Sequence, residues 1–248
     1  MSGIHIEETG TGPRVLFVHG SVFGGGITWR AQAELAERWT LGVVDRRGFG
    51  NSPAAEGEDF EVDAHDIAVA LGSGAHLVAH SYGGVGALLA AANRPEAVHS
   101  LTLVEPAAYS IAMHLEHVRQ ATEEVDRYIS ASRAAPREFL TEFFRLAGVE
   151  ISLPDPLPAT LATGAQLLMS CRYPWLARFP FQRLRNAPFH TLVISGGHSA
   201  VFESICDLLT TELNAERDVL SGAGHAVPRL GHAFNQRLEK FLRAQTRA

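Results

Sequence analysis

The chain has only two cysteines, Cys171 and Cys206, in 248 residues, and a single lysine, Lys240, among its 21 basic side chains. Two cysteines with no paired spacing make neither a disulfide framework nor a zinc or redox motif, and they point to a reducing, cytoplasmic setting. No run of about eighteen consecutive apolar residues occurs, so there is no candidate for a membrane-spanning helix and no membrane partner is expected. The start, MSGIHIEETGTGP, is polar and acidic, where a secretory signal needs a basic beginning and an apolar stretch. Basic residues nowhere cluster, and 27 acidic against 21 basic side chains give a net charge of −6, so nucleic acid is not an expected partner. Internal repeats and low-complexity tracts are also missing, which excludes a solenoid or a disordered linker.

What is present is enough chain, 46% of it apolar, to bury one large core without staples. Short β-branched apolar runs alternate with helical patterns through the first hundred residues, which predicts an α/β fold with a parallel sheet. Arg14 to His19, Leu41 to Asp45, Ala75 to His80 and Ser100 to Glu105 read as strands, apolar almost throughout as buried parallel strands are. Trp29 to Trp39, Val62 to Leu71 and Val85 to Asn93 have helical spacing, the last stopped by Arg94-Pro95. From residue 107 to 186 the rhythm breaks into helical stretches (Met113 to Ser132, Pro136 to Ala147) and the proline-rich turn LPDPLP, with no convincing strand. The strand pattern returns at Thr191 to Ser195 and Arg217 to Leu220, with helices at Phe202 to Leu213 and Leu230 to Arg243. The expected organisation is a core of residues 1–106 and 187–248, interrupted by a helical cap of residues 107–186.

The chemistry concentrates at Ala79-His80-Ser81-Tyr82-Gly83, where an apolar strand meets the small-residue helix GGVGALLAAA. A nucleophile on a sharp strand-to-helix turn needs small residues two positions either side, and Ala79 and Gly83 meet that need. The first amides of the helix then face the hydroxyl and favour negative charge. A serine needs a base. Of twelve histidines His225 fits best, in the glycine-rich loop SGAGHA directly after the last strand. His80 is expected to point away on its strand end, and His19 to order its own loop. His114 and His117 have helical spacing but no further ligand in register, so they read as solvated and no metal site is expected. Acyl transfer also needs two amide donors for the oxyanion. Tyr82 supplies one, and Ser21, in the loop His19-Gly20-Ser21-Val22, is the candidate for the other. The glycines at 24 to 26 lack the Gly-Lys-Ser/Thr ending or GxGxxG spacing of a phosphate loop.

Through HG at 19 to 20, DRRGFGNS at 45 to 52, AHSYGG at 79 to 84, SLTLVEP at 100 to 106 and GAGHAVP at 222 to 228, the chain resembles the α/β-hydrolase family over nearly its whole length. The resemblance implies an eight-stranded, mostly parallel sheet with helices on both faces, a helical cap inserted after the sixth strand, and a serine, acid and histidine triad that needs no cofactor. It also implies that Asp45, Arg47 and Gly48 form a structural turn. Many members carry the acid after the seventh strand. Here Ser199 stands at that place in SGGHS, and a serine cannot hold the charge that stabilises an imidazolium. Glu105, 24 residues after Ser81 at a neighbouring strand end, is the expected substitute, as in zearalenone-type lactonases of the family; Glu203 and Asp207 are the alternatives, and Asp218 stands too early in its strand.

The expected activity is hydrolysis of a carboxylic ester or lactone through an acyl-enzyme on Ser81, with a small-molecule substrate as partner and a monomer or homodimer as the assembly. A serine nucleophile disfavours dehalogenation. Val22, Tyr109, Met113 and Trp175 are the expected substrate contacts. A carbon–carbon bond hydrolase of the same fold and a hydrolase-like ligand receptor with little turnover are the competing readings.

Overall fold

The computed structural model describes residues 3–149 and 151–246; the chain ends of the expected core and Glu150 of the inserted segment lie outside the described residues. Seven strands are formed: β1 (Ile6–Thr9), β2 (Arg14–Val18), β3 (Thr40–Val44), β4 (Ala75–His80), β5 (Val98–Val104), β6 (His190–Ser195) and β7 (Glu216–Val219). They make one sheet in the order β1-β3-β2-β4-β5-β6-β7. Only β1 runs antiparallel, pairing Ile6 with Val44 and Thr9 with Leu41. The sheet therefore has seven strands among the described residues, not the eight that the resemblance implied, because the residues ahead of β2 supply a single antiparallel edge strand.

Nine α-helices accompany the strands among the described residues. They are α1 (Gly25–Thr28), α2 (Phe60–Ala70), α3 (Tyr82–Asn93), α4 (Glu116–Ala131), α5 (Pro136–Leu146), α6 (Ala159–Met169), α7 (Phe181–Arg185), α8 (Ala200–Leu213) and α9 (His232–Thr246). Two cores form, one per face of the sheet, as a buried parallel sheet requires. One joins Leu77, Leu101 and Val193 to Ile67, Leu88 and Leu209 of α2, α3 and α8. The other joins Phe17, Val78 and Ile194 to Phe234, Leu238 and Phe241 of α9. The stretch expected to be an α-helix near Trp29 is a 3-10 helix over Arg30–Glu37, with Gln32 and Leu35 both buried. Residues three apart eclipse in a 3-10 helix, which puts this pair on one face. None of the described helices is long and apolar enough to cross a membrane.

Between β5 and β6 the described residues form helices and no strand. Asp59 caps α2 by accepting from Glu61 N–H at 2.8 Å, and Pro136 opens α5 where its missing N–H is not needed. Helices α4, α5 and α6 share a cluster of Ile129, Phe139, Leu140, Phe144 and Leu168 that also includes Val22 of the loop after β2. Gly164 lets α6 approach that loop, since a Cβ there would stand 2.3 Å from the Val22 carbonyl. The chain runs from β2 to β3 on one side and then to β4 on the other. That reversal opens a crevice at the carboxyl ends of β2 and β4, where ligands of open α/β sheets bind.

Candidate active site

Ser81 follows β4 with φ 53° and ψ −124°, a conformation outside the usual L-residue regions that clusters at functional turns. The turn is pinned on both sides. Ser81 N–H donates to Val104 O at 3.0 Å, and Ser81 O accepts from Gly84 N–H at 2.9 Å and Ala107 N–H at 3.0 Å. Glycine is required at 83, because a Cβ there would lie 2.2 Å from the His19 carbonyl. Glu105 has a second positive φ, 47°, at the end of β5, with its N–H bonded to Ile194 O at 2.8 Å.

Three side chains from different strand ends meet here. His225 Nε2 lies 2.9 Å from Ser81 Oγ, and His225 Nδ1 lies 3.0 Å from Glu105 Oε2. A carboxylate only accepts, so Nδ1–H donates to Glu105 and Nε2 accepts from the Ser81 hydroxyl. Glu105 is fully buried, and its other oxygen accepts from Gly196 N–H at 2.5 Å. Burial pushes its carboxyl up to about 7 against the lowering effect of that amide. Burial also holds the His225 imidazole down at about 3, with His198 beside it adding to the effect.

The alternative acids are engaged elsewhere. Glu203 accepts from Ser195 Oγ at 2.8 Å, Gly197 N–H at 3.1 Å and Arg217 at 2.6 Å. Asp207 pairs with Arg217 at 2.9 Å on an exposed surface, and Asp218 pairs with Arg237 at 2.6 Å. Ser199 sits at the start of α8 with no cap bond from its side chain.

Ser21 and Tyr82 both line the cavity in front of Ser81. Tyr82 is the first residue of α3, so its amide has no carbonyl partner within the helix. The Ser21 hydroxyl donates to Glu58 Oε2 at 3.0 Å, and Tyr82 Oη donates to the Arg172 carbonyl at 2.8 Å, which anchors both side chains away from the amides. The cavity holds about 640 Å³ and is lined mainly by aromatic and aliphatic side chains, among them Phe23, Val125, Phe143, Phe144 and Leu168. Of the expected substrate contacts Val22, Tyr109 and Trp175 line it, whereas Met113 stands outside the lining, in the turn between a 3-10 helix (Tyr109–Ile111) and α4.

Several residues at the site went unread in the sequence. His80 does not point away as expected: its ring lines the cavity 4.8 Å from that of His225, and its Nε2 donates to the His225 carbonyl at 2.9 Å. Arg46, beside the expected turn residues, is buried and pairs with Glu58 and with Asp63. The DRRGFGNS turn itself forms as expected, with Asp45 accepting from Asn51 N–H at 3.1 Å, Arg47 bound to Asp66 at 2.6 Å and Gly48 at φ 81°. His19 orders its loop, Nδ1–H donating to Gly20 O at 2.7 Å while Nε2 accepts from Arg46 N–H at 3.0 Å.

The sheet order, the crevice and the strained serine turn define a hydrolase-type α/β site. A model of the alpha/beta hydrolase family matches residues 15–244, and the chain belongs to that family. The pimeloyl-[acyl-carrier protein] methyl ester esterase of Aeromonas salmonicida is 37% identical over 103 residues, 41% of this chain and 41% of that protein. The match thus spans about two fifths of the length of this curated relative. Lipase LipV of Mycobacterium tuberculosis is 30% identical over 183 residues, 71% of this chain and 67% of that one. Among solved structures, Rv0554 of Mycobacterium tuberculosis superposes with a TM-score of 0.72 at 22% identity, covering 97% of this chain and 93% of its own. Carboxylesterase CesB of Bacillus subtilis follows the same fold with a TM-score of 0.69 at 21% identity, over 96% and 87% of the two chains.

Proposed function

We propose that this protein is a cofactor-free serine hydrolase that cleaves a carboxylic ester or lactone through an acyl-enzyme. The observation that carries the reading is the continuous line Ser81 Oγ, His225 Nε2, His225 Nδ1, Glu105 Oε2, with steps of 2.9 and 3.0 Å. Esterase and lipase relatives support the reaction class. Ser81 Oγ attacks the carbonyl carbon as its proton passes to His225 Nε2, and ionised Glu105 stabilises the imidazolium. The amides of Ser21 and Tyr82 hold the oxyanion, each donor worth about 10²–10³ in kcat in sites of this kind. His225 then protonates the leaving oxygen, and water, deprotonated by His225, releases the acid. Residues 107–186 act as the cap over the site and set specificity through Trp175, Tyr109 and Val22. The largely apolar cavity favours a medium-sized, fairly apolar substrate.

Turnover of a panel of aryl esters and lactones by wild type, Ser81→Ala, Glu105→Gln and Glu203→Gln tests the reading, with mass spectrometry for an acyl adduct. Loss of about 10⁶ in kcat for Ser81→Ala and about 10⁴ for Glu105→Gln, with Glu203→Gln near wild type, is expected. Equal losses in Glu203→Gln and Glu105→Gln would remove Glu105 as the acid. A wild type that binds ligand yet neither turns over nor forms an adduct is a receptor, and cleavage of a carbon–carbon bond instead of an ester would appear in the products.

A further inference from the structure

The loop after β6 carries no acid, but it sets His198 beside Glu105. His198 Nδ1 lies 3.7 Å from Glu105 Oε2, the same oxygen that His225 Nδ1 approaches at 3.0 Å. At 3.7 Å there is no hydrogen bond. Both ring nitrogens of His198 are buried without a partner among the described residues, although the ring is held in place against Phe202 at 5.7 Å with planes 28° apart. Buried polar atoms without partners are rare in folded proteins, and a bound water or ion is one species that satisfies them. One ligand atom from each of Glu105, His198 and His225 falls within 4.8 Å of the other two.

The geometry points to a site for a borderline-soft divalent transition metal, zinc above all, built from Glu105, His198 and His225. Two imidazoles and one carboxylate are a donor set that zinc accepts, leaving one position for water. Tetrahedral bonds of about 2.0–2.2 Å place ligand atoms roughly 3.4 Å apart, so the 3.0 Å between His225 and Glu105 opens slightly, the 3.7 Å between His198 and Glu105 closes slightly, and a pair as far apart as 4.8 Å closes by more. Calcium and magnesium, which take six or more oxygens, do not fit this set. His198 and His225 both line the cavity, which leaves room for the water ligand.

Coordination has a definite consequence for Ser81. The metal takes the lone pair of His225 Nδ1, so the single proton of the neutral ring moves to Nε2. Nε2–H then donates to Ser81 Oγ and cannot accept its proton. The metal stops the general base without filling the substrate cavity, and inhibition lowers kcat while leaving KM unchanged. This consequence rests on the hydrolase reading above; the metal site itself does not.

Two readouts separate the claims. Full-length protein stripped with a chelator is titrated with cobalt(II), following the visible absorption of a tetrahedral ion, and with zinc in competition with a chromophoric chelator. One ion per chain is expected in wild type and in Ser81→Ala, and none at that affinity in His198→Phe, which keeps a ring against Phe202 without a donor, or in His198→Gln, which guards against a folding defect. Wild type that binds no ion, or both His198 variants binding as wild type does, overturns the site. In aryl-ester turnover, zinc is expected to inhibit reversibly, and the concentration needed to rise about tenfold or more in the His198 variants, since losing even an outer partner of a metal ligand costs about 10–100-fold in affinity. Equal inhibition of wild type and variants overturns the proposal. If no substrate is turned over at all, the hydrolase reading fails and the cobalt titration still decides the site.

Discussion

His80 donates from Nε2 to the main-chain carbonyl of His225, 2.9 Å away, joining the residue before Ser81 to the residue that faces Ser81. Burial lowers the His80 imidazole to about 3, so the ring stays neutral and its one proton sits on the donating nitrogen. His80 is a positioning residue: it fixes the loop that carries His225. His80→Phe keeps the ring and removes the donor, and it is expected to lower kcat by up to about 10², the effect of misplacing a reacting group by an ångström, with little change in KM. His80→Gln, whose amide nitrogen reaches a similar position, should restore most of the rate. Wild-type kcat in the Phe variant would show that the bond does not orient His225.

Arg46 braces the loop after β2 that carries Ser21 in a similar way. Its guanidinium donates to His19 O at 3.1 Å and Gly20 O at 2.9 Å while pairing with Asp63 at 2.6 Å and with Glu58, whose carboxylate in turn accepts from Ser21. Removing the cation leaves two buried carboxylates unpaired. Arg46→Met should destabilise by about 3–5 kcal/mol. Urea unfolding measures it, and a loss under about 1 kcal/mol would mean that the cluster relaxes without its cation.

How much of this was legible depends on whether the signal is local. Ala75–His80 is read from the sequence at its observed bounds because a strand buried on both faces is apolar throughout. Ile6–Thr9 escapes the same reading because it pairs on one side only and three of its four residues are exposed. Ser81 and His225 stand out because a tight turn and a glycine loop demand particular neighbours. Glu105 is reached by the missing aspartate at 199, which leaves the neighbouring strand end to supply a charge. The roles of His80, His198 and Arg46 depend on partners brought from 145, 93 and 17 residues away, and periodicity tells which face a side chain occupies, not what meets it there.

Arg229 is the one arginine, lysine, aspartate or glutamate among the described residues that line the cavity, its guanidinium 5.5 Å above the Phe23 ring. An exposed cation on the lining of an apolar cavity favours a substrate that carries a negative group. A half-ester of a dicarboxylic acid should be hydrolysed with a higher kcat/KM than its neutral diester, and Arg229→Gln should shrink that preference about two- to fivefold, as for an exposed ion pair. Salt should shrink it too. An unchanged preference in the variant would place the anion elsewhere.

The pH dependence follows from the buried carboxylate. Ionised Glu105 keeps the His225 proton on Nδ1 and leaves Nε2 free to accept. Below about 7 the proton that burial favours goes onto Glu105. The acid then donates to Nδ1 and moves the ring proton to Nε2, where it blocks Ser81. We expect kcat/KM to rise with pH through an apparent value near 7 that belongs to the Glu105–His225 pair. A limb below about 5, close to an ordinary carboxyl, would show that burial does not raise this group.

The same shift sets a stability effect of opposite sense to that of an ordinary paired carboxylate. The folded value for Glu105, about 7, lies above the 4.5 of an ordinary glutamate, so between the two the folded protein binds more protons than the unfolded chain. Its contribution is full below about 4.5 and is lost as pH rises through about 7. His225 works the other way, its contribution present above 6.5 and lost as pH falls through about 3, but that effect is carried by wild type and variant together. Glu105→Gln removes the buried charge and keeps an oxygen for Gly196 N–H. At pH 8 the variant should therefore be more stable than wild type by about 1–3 kcal/mol, with the gap closing towards pH 5. Urea unfolding at the two pH values decides it. A gap that does not change with pH would mean that the charge is as well solvated in the folded protein as in the unfolded chain. A gap that closes as expected would measure the stability the fold gives up to keep an ionised carboxylate behind His225.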